Sequence, residues 1–108
     1  MSVREFAESP LEQGSDESIR YKFDMSRWPG SAYTNPVVVV FDISGRVPAN
    51  WQDVTATVAP DAASITGSWF QTPAIGSLTA RNQYRVECKW TVDGADVVEA
   101  YAIVNCTH

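Results

Sequence analysis

A chain of 108 residues with a formal charge of −5 has room for one hydrophobic core and for no second domain. Thirteen acidic against eight basic side chains leave no basic stripe to neutralise phosphates, which argues against nucleic acid as a partner. The longest apolar run, "PVVVVF", is far too short to span a bilayer, and a 44% hydrophobic content is that of an ordinary globular domain.

The opening "MSVREFAESPLEQGSDES" lacks the apolar segment of a secretory signal, so the sequence predicts cytoplasmic synthesis, in a compartment that keeps thiols reduced. Glu5, Glu8, Glu12, Asp16 and Glu17 make residues 1–17 acidic and leave no apolar period. This predicts a flexible acidic arm ahead of one domain over 18–108. Val3 and Phe6 are its candidate anchors on a neighbouring subunit.

From Ser18 the period becomes two. "SIRYKFDM" sets Ile19, Tyr21, Phe23 and Met25 on one face and Arg20, Lys22 and Asp24 on the other, the pattern of a half-buried strand. Pro29-Gly30 and Asn35-Pro36 then break the chain. In "VVVVFDI" the alternation predicts Val37, Val39, Phe41 and Ile43 towards the core, leaving Val38 and Val40 outward as a patch for a partner. "DVTATV" reads as a third strand with Val54, Ala56 and Val58 in register. "SITGSWF" reads as a short strand with a bulge at Gly67, and "QTPAIGSLTARN" as a loop.

The last 25 residues are the most informative. "YRVECKWTV" places Tyr84, Val86, Cys88, Trp90 and Val92 inward, and Val98, Ala100, Ala102, Val104 and Cys106 share one face of the return strand. A three-residue loop, Asp93-Gly94-Ala95, sets Val92 against Asp96, Trp90 against Val98 and Cys88 against Ala100, with Lys89 opposite Glu99 outside. Cys106 then lies six residues past the partner of Cys88, about 20 Å away at ~3.4 Å per residue, whereas a disulfide needs Cα atoms within about 7 Å. The spacing fits no zinc motif either, so both cysteines are expected as buried free thiols. Six or seven short strands with turns about ten residues apart predict an antiparallel sandwich or barrel.

Catalytic and cofactor signatures do not emerge. The single histidine, His108, is the last residue and a poorly held general base. Asp42, Asp53, Asp61, Asp93 and Asp96 fall at strand ends or turns, where Asp is expected for backbone reasons. No metal, no cofactor and no enzymatic activity are expected. The tryptophans carry more interest: Trp90 is a core residue, while Trp28 and Trp51 are candidates for exposure, able to anchor a protein or stack on a sugar.

From residue 18 onward the order of pieces resembles a group of small immunoglobulin-like proteins encoded in tailed bacteriophages and prophages. The residues that carry the resemblance are "ESIRYKFDMSRW", "PVVVVFDISG" and "DVTATVAPDAASITGSWFQTPAIGSLTARNQYRVECKWTVDG". It implies an immunoglobulin- or fibronectin-like β-sandwich of six to eight strands, and a capsid-, neck- or tail-associated part that acts through contacts with other virion proteins or with itself. It transfers no site residues. The expected contact surface is Val3, Phe6, Trp28, Val38, Val40 and Trp51. The alternative is a glycan- or ligand-binding module with Trp28 and Trp51 as a stacking platform.

Overall fold

The computed structural model describes residues 4–6, 9–28, 30–45 and 47–107; Val3 lies outside them. In chain order the elements are β1 (Arg4–Glu5), β2 (Leu11–Gln13), β3 (Lys22–Asp24), β4 (Tyr33–Asp42), β5 (Gln52–Asp53), α1 (Thr55–Val58), β6 (Ser64–Thr66), β7 (Trp69–Gln71), β8 (Gln83–Val92) and β9 (Asp96–Cys106). One sheet runs β1-β9-β8-β4-β5, and β2 also pairs with β9; the other runs β3-β7-β6. β1 lies along Ala100–Tyr101 and β2 along Val104–Cys106, so the two share one edge and the large sheet is five strands wide.

This is an all-β sandwich with immunoglobulin order. β3, β7 and β6 match the B, E and D strands; β9, β8 and β4 match G, F and C, with β5 as the added C′ strand of the variable type. Tyr84 opens β8, and its hydroxyl accepts the Thr79 N–H at 2.8 Å, the corner tyrosine of such sandwiches. Two residues on, where a cysteine bridges the sheets of antibody domains, stands Val86.

The hairpin follows its sequence pattern residue by residue. Val92↔Asp96, Trp90↔Val98, Cys88↔Ala100 and Lys89↔Glu99 are the observed pairs, with a 3.5 Å ion pair at the last. All five inward side chains of β8 are buried, and Cys88 and Cys106 are buried free thiols.

β4 reverses its expected faces. Asn35 takes a left-handed φ of 56°, and between Thr34 and Val37 the strand gains one residue over β8. Such a bulge flips every later side chain. Val38 and Val40 therefore stand opposite Cys88 and Val86 on the core side: Val40 is fully buried and Val38 packs against the core. Val37, Val39, Phe41 and Ile43 go outward instead.

The first 17 residues are no detached arm over their described part. β1 and β2 run parallel to β9, and Phe6, whose N–H bonds Tyr101 O at 2.8 Å, is 2% exposed. Its ring stacks on Phe23 at 4.1 Å and meets Trp28 edge-on at 5.5 Å. Gln13 is buried as well, with every polar atom of its amide partnered. Nε2 donates to Ile75 O (2.6 Å) and Glu17 O (3.0 Å), and Oε1 accepts from the Tyr21 hydroxyl at 2.7 Å. A buried amide so satisfied costs little and ties this segment to the stretches just before β3 and just after β7.

"DVTATV" is not a strand beyond Asp53. The Asp53 carboxylate accepts the Thr55 N–H at 3.0 Å and its hydroxyl at 2.7 Å, turning the chain into the single helical turn α1. The Thr55 hydroxyl then accepts the Val40 N–H at 2.8 Å, in place of a ladder bond. "SITGSWF" is likewise two strands, β6 and β7, joined by Gly67-Ser68 with Gly67 at φ +60°. The core culminates in Trp90, fully buried, with Phe70 at 5.7 Å, Phe6 at 6.2 Å and Trp28 perpendicular at 5.4 Å.

Candidate contact surface

The outer face of the large sheet is built by the register just described. Three rows cross it: Val37, Lys89 and Glu99; Val39, Glu87 and Tyr101; Phe41, Arg85 and Ile103. An antiparallel sheet that meets water on one face normally alternates polar residues there. Here β4 contributes three apolar side chains and β9 adds Tyr101 and Ile103, while Val37 and Val97 are 47% and 40% exposed.

Charge organises the middle of this face. The Arg85 guanidinium lies 3.8 Å from the Tyr101 ring centroid and 5.5 Å from that of Trp51, and its Nε donates to Glu87 at 2.8 Å. Trp51, just ahead of β5, sits 6.3 Å from Phe41 and is half-buried. The arginine is thus held between two aromatic rings and one carboxylate. Cation–π contacts of this kind contribute about 0.5–1 kcal/mol each at exposed sites, and they also fix the guanidinium before any partner arrives.

Of the six residues expected to form a contact surface, the structure leaves one on it. Trp51 belongs to this face. Phe6, Val40 and Trp28 (8% exposed) are core, Val38 packs against the core, and Val3 lies outside the described residues. Trp28 is too buried to offer a ring face to a ligand, with Phe6 and Trp90 both packed against it. The Trp28–Trp51 stacking platform is therefore not assembled. Val37, Val39, Phe41, Tyr101 and Ile103 escaped the sequence reading. The hairpin register alone could have found the last two, since it puts them opposite Glu87 and Arg85.

Four aspartates at turns are occupied with the backbone. Asp93 Oδ1 accepts the N–H groups of Ala32 (2.9 Å) and Ser31 (3.1 Å), and Asp24 Oδ1 that of Ser26 (2.9 Å). The Ser26 side chain and then its N–H hold Asp24 below the usual carboxylate value, the Thr55 hydroxyl and then its N–H do so for Asp53, and the Ala32 and Ser31 N–H groups do so for Asp93. Asp42 Oδ1 accepts the Ser44 N–H at 3.0 Å, and Oδ2 accepts from the Asn82 amide at 3.0 Å. Burial, helped by Glu87, pushes the Cys88 thiol well up, so it is no nucleophile near neutral pH. Among the described residues no three His, Cys, Asp or Glu side chains gather as a metal site, and no helix is long and apolar enough to cross a membrane. His108 lies outside the described residues. Neither a protein-family model nor a curated protein nor a solved structure matches this chain.

Proposed function

We propose that this chain is a non-enzymatic structural part of a phage or prophage virion, acting through protein–protein contacts made by the outer face of its large sheet. The observation that carries the reading is the Trp51–Arg85–Tyr101 cluster, bordered by Val37, Val39, Phe41 and Ile103. Trp, Tyr and Arg dominate the binding energy of protein interfaces, and they do so when their rotamers are already fixed. A row of half-exposed valine, phenylalanine and isoleucine beside them supplies the apolar ground that such anchors need. Asp24, Asp42, Asp53 and Asp93, meanwhile, are taken up in turns, and the thiols are sealed in the core. Both facts favour a surface that binds over a cleft that reacts.

The test is to induce a host that carries the gene, purify the particles and quantify the chain in them by mass spectrometry. A fixed copy number per particle is expected. Complete absence from intact particles, with the protein free in the lysate, would overturn the virion reading.

A further inference from the structure

The opposite face of the sandwich carries a different feature. On the small sheet, Trp69 projects outward from β7 and is 48% exposed, and every other outward side chain there is polar. Lys22 and Gln71 face each other across β3 and β7, Asp24 stands opposite Trp69 on β3, and Thr66 opposite it on β6. Lys22, Thr66, Trp69 and Gln71 together line a shallow cup of 120 Å³.

Trp69 covers no core, since the side chains beneath it on β7 and β3, Phe70 and Phe23, already face the opposite way and are sealed. Nor does it belong to an apolar patch, as a docking surface for a protein would require. It is one aromatic face inside a ring of hydrogen-bonding groups. The cup is far smaller than the 300–1,000 Å³ of ordinary ligand pockets, so it suits a single small ring. The lining offers donors (Lys22 ammonium, Gln71 amide) and acceptors (Gln71 carbonyl, Thr66 hydroxyl) side by side, which is what hydroxyl groups use, since each both gives and takes a hydrogen bond.

We infer that Trp69, with Gln71, Thr66 and Lys22, forms a stacking subsite for one pyranose ring of a carbohydrate. The C–H face of the sugar lies on the indole, and its equatorial hydroxyls reach Gln71, Thr66 and Lys22. A nucleobase could also stack on an indole, but Lys22 and Asp24 flank it with opposite charges and give a phosphate no local advantage, while the net charge of −5 opposes it. The site lies across the sandwich from the proposed contact face and stands or falls without it. So small a site binds weakly, in the millimolar range.

The four indole N–H signals of the intact 15N-labelled chain report on the four tryptophans separately. The probes are methyl β-glucopyranoside, methyl β-galactopyranoside, cellotetraose, chitotetraose and adenosine monophosphate, each titrated to about 50 mM to cover millimolar dissociation constants. At least one sugar should shift the Trp69 signal saturably; Trp69→Ala should weaken its binding at least tenfold and Gln71→Ala several-fold, read from backbone shifts. Both variants lie on the surface and should keep the wild-type spectrum elsewhere. No saturation with any sugar, sugar binding that survives Trp69→Ala, or saturation by the nucleotide alone would each overturn the assignment.

Discussion

Replacing Phe6 by Ala asks whether the first residues belong to the domain. The Phe6 ring is 2% exposed, lies parallel to Phe23 at 4.1 Å and touches Trp28 and Trp90. Truncating a buried phenylalanine removes its transfer energy and leaves a cavity, about 3–5 kcal/mol together. Three aromatic neighbours place this site at about 4 kcal/mol. For 108 residues the unfolding entropy is about 0.23 kcal/mol per kelvin, so Tm should fall by about 17 °C. Urea titration followed by tryptophan fluorescence gives the free energy, and circular dichroism gives Tm. Glu5→Ala is the control. Its side chain is exposed one residue before Phe6 and accepts the Ser9 hydroxyl at the surface, so it should cost no more than about 0.5 kcal/mol. A Phe6→Ala loss below about 1 kcal/mol, equal to that of Glu5→Ala, would refute the docking of this segment and restore a detached arm.

Four further outcomes follow from local geometry. At Gly30, with φ +126°, a Cβ would lie 1.9 Å from Cγ1 of the buried Val92, so Gly30→Ala should destabilise by about 2–4 kcal/mol in the same urea assay. Tyr84→Phe removes the acceptor of the Thr79 N–H and should cost about 1 kcal/mol, or about 4 °C in Tm. The Tyr21 hydroxyl is pushed up to about 12, first by burial and then by Glu17, while the unfolded chain titrates near 10. Stability should therefore fall between pH 10 and 12, by about 1 kcal/mol once its half exposure is allowed for, and Tyr21→Phe should flatten that slope. At the acid end, Asp24, Asp53 and Asp93 add stability that is present above pH 3.8 and lost as pH drops through their lower folded values.

The β8–β9 hairpin was legible because three constraints agreed: the Asp-Gly turn, the apolar set on both strands and the Lys89–Glu99 pair. A slip by one residue would have broken all three. β4 gave no such check. Four consecutive valines look alike on either face, and the bulge that decides between them rests on the left-handed backbone of Asn35. The turn after Asp53 was hidden by β-branched residues; the Asp-x-Thr spacing that caps it was the available sign. The docking of Phe6 and Gln13 depends on parallel pairing with a strand more than 90 residues away, and no local period records that. The β4 part of the contact face was missed for the same reason, since a wrong parity exchanges the core for the surface, whereas Tyr101 and Ile103 were already fixed by the hairpin register.

The most direct test of the contact face is incorporation of a face variant into particles. Val37→Glu and Ile103→Glu together place carboxylates beside Lys89 and Arg85, where the fold tolerates them, and disrupt the apolar ground. Circular dichroism and Tm should stay within a few degrees of the wild type. The account predicts that this folded variant is depleted at least tenfold from purified particles relative to wild type. Incorporation at the wild-type level would contradict it.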